Sequence, residues 1–193
     1  MLALACPASA AVLILLWSRR PNVRESWTLI ASVLQFAIIL SMVPVILGGQ
    51  KIEGYFFRKM FSQVHLGFHV DAFGLLFAIT SSFLWILVSI YSVGYMRTLR
   101  EHAQTRYYSC FAMAIFGTVG VALSGNLVTF YIFYEILTLS TYPLVAHEES
   151  AEALFAGRKY IAYLLTSSVF LLAASVLEYS IAGTTDFIPG GIR

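Results

Sequence analysis

The chain has 193 residues, 59% of them hydrophobic and only 11% charged, with a mean hydropathy of +0.80 and a net charge of +2. Water-soluble domains carry about 25% charged residues, so this composition excludes a surface wetted all round. No basic cluster interleaved with aromatics suits nucleic acid. Long apolar runs without period-two alternation select bilayer-spanning helices over a closed barrel.

The apolar runs cover residues 2–17, 27–47, 72–96, 107–123, 127–146 and 161–182. A spanning helix needs about 17–25 residues, which all but the first reach clearly. Residues 1–17 lack the basic start of a cleavable signal and read as a retained first helix. Ser18-Arg19-Arg20-Pro21 ends that run, and Gly48-Gly49 ends the second. Residues 50–70 read as a polar and aromatic connection. The expected architecture is an all-α integral membrane protein of about six transmembrane helices, residues 1–193 forming one transmembrane domain. Cys6 and Cys110 fall in apolar runs and read as buried free thiols.

With the N-terminus outside, Arg19, Arg20, Arg24, Arg97, Arg100, Arg106, Arg158 and Lys159 face the cytoplasm. Lys51, Arg58, Lys59 and Arg193 fall on the opposite side. The positive-inside rule favours that orientation.

On the third run, Asp71, Gly74, Ala78, Ser82, Ser89 and Ser92 share a face. Small residues there let helices approach closely, and Asp71 is placed to cap the helix start. Glu135 lies near the middle of the fifth run, about 12 Å from one end and about 16 Å from the other. A charged group at that depth costs roughly 2.5–3.5 kcal/mol on insertion scales, so an acid there is read first as functional. Proton relay is the chemistry it suits. Tyr131, Thr138 and Tyr142 lie within about 60° of Glu135 on the helical wheel and extend it into a polar stripe. The alternative is a structural glutamate satisfied by a neighbouring helix. Pro143 is expected to loosen the end of this helix.

Gly157-Arg158-Lys159-Tyr160 reads as the opening of the sixth helix, with Tyr163, Thr166 and Phe170 following Lys159 on one face. Lys159 either snorkels to the interface or projects toward Glu135. His65 and His69 have the i,i+4 spacing of helical ligands, but they are expected in a loop with no acidic or thiol partner at ligand spacing. A quinone or haem anchor is therefore a minor alternative. No catalytic, nucleotide-binding or metal motif occurs, so no cofactor is expected and any enzymatic role would rest on other subunits.

Three stretches carry a resemblance. They are Phe68-His69-Val70-Asp71-Ala72-Phe73-Gly74-Leu75-Leu76-Phe77, then Ser124-Gly125-Asn126-Leu127-Val128-Thr129-Phe130-Tyr131-Ile132-Phe133-Tyr134-Glu135, and Lys159-Tyr160. Together with Gly183-Thr184-Thr185-Asp186-Phe187 they resemble the N-terminal portion of the proton-conducting antiporter-like subunits. That family occurs in NADH–quinone oxidoreductase, Mrp-type sodium/proton antiporters and membrane-bound hydrogenases. The resemblance implies a fourteen-helix fold of two inverted repeats, each with one broken helix. It implies that Glu135 is the family's fifth-helix acid, which pairs with a lysine on the seventh helix, and that Lys159 matches a sixth-helix lysine. The seventh helix and the second repeat have no counterpart here. The chain is therefore expected to be either a fragment or one half of a split subunit. Its expected partners are other hydrophobic antiporter-like or oxidoreductase membrane subunits and the lipid of a bacterial or archaeal cytoplasmic membrane. A non-transporting scaffold that docks partner helices is the main rival.

Overall fold

The computed structural model describes residues 1–50, 52–61 and 64–187, with the side chains of all of these except 56–61 and 64. It contains α1 (Leu2–Leu16), α2 (Pro21–Leu47), β1 (Ile52–Phe61), β2 (Val64–Val70), α3 (Ala72–Thr98), α4 (Gln104–Ala122), α5 (Leu127–Val145) and α6 (Ala151–Ala182). The groups that meet at each end show that the helices alternate in direction. At one end, the Arg24 guanidinium of α2 donates to Thr105 Oγ1 (2.9 Å) and Gln104 Oε1 (2.6 Å) of α4. Arg97 of α3 donates to Asn22 Oδ1 (2.6 Å) and to the Glu25 carboxylate on α2. Arg106 of α4 reaches Glu149 and the His147 carbonyl in the α5–α6 turn. At the other end, Gly125 N–H donates to Gly67 O (2.8 Å), His69 N–H to Leu123 O (3.0 Å) and Leu127 N–H to Thr185 O (2.9 Å). The bundle thus has an arginine end and a hairpin end.

The helices are inside-out by the standards of a water-soluble protein. On α3, Gly74, Ala78, Ser82, Ser89 and Ser92 are buried, while Phe73, Leu76, Phe77, Leu84, Leu87 and Ile90 are exposed. In lipid the attraction between helices comes from close packing, so the small face turns inward. Asp71 caps α3 by accepting from Gly74 N–H at 2.6 Å. Pro143 does not break α5, which continues to Val145.

Two glycines set the contact of α4 with α5. A Cβ at Gly117 would lie 2.8–2.9 Å from the backbone N and Cα of Leu137, and one at Gly120 would fall inside the Phe133 ring. Backbone cannot rotate away, so Gly117→Ala is expected to cost about 1–3 kcal/mol through overpacking. Gly94→Ala, whose Cβ meets nothing within 4 Å, should gain about 0.5–1 kcal/mol from helix entropy. Unfolding of the two variants in detergent checks the opposite signs.

Three expectations are corrected. Residues 50–70 are not a plain connection: β1 and β2 form an antiparallel hairpin with Ile52 opposite Val70, Glu53 opposite His69, Gly54 opposite Phe68 and Tyr55 opposite Gly67. His65 and His69 therefore sit on a strand. Alternation sends Phe68 and Val70 into the core and puts Glu53, Tyr55, His65, Gly67 and His69 on the other face. The helix carrying Lys159 begins at Ala151, not near Gly157, because Ser150 caps it by accepting from Ala153 N–H at 3.1 Å and Glu152 favours its first turn. Lys51 and Arg193, two of the basic residues used for orientation, lie outside the described residues, as do the side chains of Arg58 and Lys59.

Candidate functional site

Asn126 fixes the start of α5. Its Oδ1 accepts from Thr129 N–H (2.8 Å), its Nδ2 donates to His65 O (2.9 Å), and Thr129 Oγ1 accepts from Gly67 N–H (3.0 Å). Nine residues on, Glu135 is half-buried, and its Oε1 is sealed from solvent with no hydrogen-bond partner among the described residues. Thr138 is buried, while Tyr131 and Tyr142 are half-buried. The α5 stripe thus lies at the edge of the packed interior.

The register between α5 and α6 follows from two contacts. Thr141 Oγ1 and Tyr160 Oη are 2.7 Å apart. The missing side chain of Gly157 makes room for Tyr142 and Ala146. Counting back along antiparallel helices places Glu135 level with Thr166 and Lys159 level with Tyr142, about 10 Å apart along the bundle axis. No ion pair joins Glu135 to Lys159 among the described residues. Lys159 is exposed and holds its Nζ 4.6 Å from the centre of the Phe155 ring. Tyr163 and Thr166 are exposed as well, and Thr166 Oγ1 donates to its own helix at Ala162 O. On α6 only Gly157, Ser168 and Ser175 are buried. Its Lys159–Tyr163–Thr166 face is left uncovered by the described residues.

Each hairpin histidine faces an acidic residue remote from it in sequence. His65 Nε2 lies 3.4 Å from Asp186 Oδ1, and His69 Nδ1 lies 3.7 Å from Glu53 Oε1. These four residues, with Tyr55 and Gly67, line a cavity of about 180 Å³. Four residues of strand separate the two imidazole positions by about 13 Å, so they do not form the adjacent ligand pair that helical i,i+4 spacing would give.

The arginine end holds groups that the sequence reading passed over. Arg24 and Glu25 are 6% and 3% exposed, in the first turns of α2. Across the bundle, Arg106 ties the α5–α6 turn. Its hydrogen bond and charge hold the Glu149 carboxyl below the usual carboxylate range. Burial, then the charges of Arg106 and His102, push the His147 imidazole below the ordinary histidine range. The sequence signal for these ties was the placing of Arg24, Arg97 and Arg106 at matching helix ends.

An up-and-down bundle with apolar outer faces and a carboxylate at mid-helix is a multi-pass membrane protein; α2, α3, α5 and α6 are each long and apolar enough to cross a bilayer. Residues 59–108 match the family described as NADH-ubiquinone oxidoreductase (complex I), chain 5 N-terminus, and residues 124–189 match NADH:quinone oxidoreductase/Mrp antiporter, TM. The two matches take in more than half of the chain, which belongs to this family of antiporter-like membrane subunits. It is 25% identical over 157 residues to a putative antiporter subunit mnhA2 of Staphylococcus haemolyticus, covering 81% of this chain and 20% of that protein. It is 28% identical over 164 residues to NADH-quinone oxidoreductase subunit M of Rhodobacter capsulatus, covering 83% and 30%. The fold matches a chain of the Mrp complex from Dietzia sp. DQ12-45-1b with a TM-score of 0.80 at 23% identity, covering 96% of this chain and 34% of that one. The chain thus spans about a fifth to a third of the length of these relatives.

Proposed function

We propose that this chain supplies the Glu135-bearing part of a proton-translocating antiporter-like subunit, within a multisubunit cation/proton antiporter or proton-pumping oxidoreductase. In this reading Glu135 takes and releases the proton. A cation from helices outside this chain sets the proton's affinity. The observation that carries the reading is the sealed, unpartnered Oε1 of Glu135 at mid-helix: an acid left without a partner at that depth is costly unless it is used. The axial offset of about 10 Å gives Lys159 the role of a neighbouring relay cation rather than a contact partner. Tyr131, Thr138, Tyr142, Tyr163 and Thr166 are the polar groups that would bridge to it through water. The uncovered α6 face is where a partner membrane subunit or further helices would pack. All six helices, α1 and α4 included, cross the bilayer. The arginine end lies in the cytoplasm and the N-terminus outside, as Arg19, Arg20, Arg24, Arg97, Arg100 and Arg106 favour.

The test is proton flux in liposomes containing the assembled complex with Glu135→Gln in this chain. Loss of flux with intact assembly supports the relay. Full flux with intact assembly makes the chain a scaffold.

A further inference from the structure

At the arginine end, the α3–α4 turn and the α5–α6 turn bring Glu101, His102 and His147 together. Their carboxylate and imidazole ligand atoms all lie within 4.8 Å of one another. Glu101 Oε2 and His102 Nδ1 are 3.8 Å apart. The His102 and His147 rings stack with centroids 5.1 Å apart, and Tyr107 packs edge-on to His147. None of these residues belongs to the Glu135 stripe.

Three further facts distinguish this cluster from a chance meeting of loop side chains. Both ring nitrogens of His147 are sealed from solvent with no hydrogen-bond partner. A buried imidazole normally uses at least one of them. Among the described residues, the non-glycine residues with left-handed backbone, Arg100, Ala103 and Glu149, all lie in these two turns. Finally, the cluster includes a carboxylate as well as two imidazoles. Arg106, whose charge disfavours a cation at His147, is paired with Glu149 and with the His147 carbonyl, and Glu101 sets its carboxylate beside the two imidazoles.

We propose that Glu101, His102 and His147 form a binding site for a divalent transition-metal ion, with Zn²⁺ the best fit. Two imidazoles and one carboxylate are a borderline donor set that Zn²⁺ accepts in tetrahedral geometry, with water as the fourth ligand. Tetrahedral ligands around Zn²⁺ lie about 3.3 Å apart, so closing the site from separations of up to 4.8 Å takes a shift of up to about 1.5 Å. The exposed His102 ring supplies it by turning out of its stack on His147. The bound ion would tie the α3–α4 turn to the α5–α6 turn, beside the existing Arg106 tie. The site goes beyond the proton-relay reading and does not depend on it.

The experiment is Zn²⁺ titration of the purified full chain in mild detergent after chelator treatment, read by competition with a chromophoric chelator. Co²⁺ absorption reports the coordination. One ion per chain with a tetrahedral Co²⁺ spectrum is expected. His147→Gln and His102→Gln should each weaken binding at least about tenfold, since even outer-shell changes at such sites cost 10–100-fold. His102 is exposed, so its variant keeps the fold even if that of His147 does not. The double variant His65→Gln/His69→Gln should leave affinity unchanged. Absence of stoichiometric binding, unaltered affinity in His102→Gln, or loss confined to the His65/His69 variant would each overturn the proposal.

Discussion

Glu135→Gln is expected to lower proton flux through the assembled complex roughly 100-fold, the lower end of what a positioned proton-transferring group contributes, while leaving assembly intact. The two halves of that expectation have separate causes. Glutamine keeps the volume and shape of the side chain, so the packing of α5 against α4, set by Gly117, Gly120, Phe133 and Leu137, is not disturbed. Glu135 Oε1 has no protein partner to lose, and a neutral amide costs less to bury than a carboxylate. Stability should therefore hold or rise slightly. The amide cannot carry the proton, so the flux falls. Glu135→Asp retains the acid but withdraws it by about one methylene, and it should recover part of the flux. A structural glutamate would invert this pattern, with aspartate destabilising the complex and glutamine tolerated in full. Flux and assembly measured on the three proteins separate the cases.

The helical framework was legible because apolar runs, caps and small-residue stripes are local. Asp71 three residues before Gly74, and serines recurring at helical spacing on α3, have direct structural counterparts. The hairpin was legible in principle. Val64-His65-Leu66-Gly67-Phe68-His69-Val70 alternates apolar with polar or small, the period of a half-buried strand. Polar and aromatic residues on either side point to a loop instead, which is where His65 and His69 are expected from sequence. Glu135 stood out because its position in an apolar run is itself the signal. Its register with Lys159 did not, since α6 starts at Ala151, after a Ser150 cap and ten residues before the apolar run at 161 begins. The arginine-end contacts pair residues more than seventy positions apart, from Asn22, Arg24 and Glu25 to Arg97, Gln104 and Thr105. No local pattern encodes such pairing.

That network carries the largest expected effect on stability. Glu25→Ala is expected to destabilise the folded chain by about 3–5 kcal/mol, the cost of stranding a buried charge by removing its partner. Arg24 is nearly inaccessible, with its guanidinium 3.6 Å from Glu25, 5.5 Å from the centre of the Tyr108 ring, and hydrogen-bonded, among the described residues, to the neutral Gln104 and Thr105. Without Glu25 it keeps its hydrogen bonds but has no counter-charge in a site that α3 and α4 shield from water. Arg97→Ala should cost less. The Arg97 side chain is half exposed, and Glu25 would still face Arg24. Glu25→Gln should fall between the two, because the amide oxygen still accepts from Arg97 while the charge is gone. If the charge on Arg24 is the source of the loss, Arg24→Met should rescue Glu25→Ala by restoring neutrality at similar volume. Denaturant unfolding of the single and double variants in detergent measures the coupling. Additive losses would mean that Glu25 acts through Arg97 and Asn22 alone, whereas recovery in the double variant locates the cost on the buried Arg24 guanidinium.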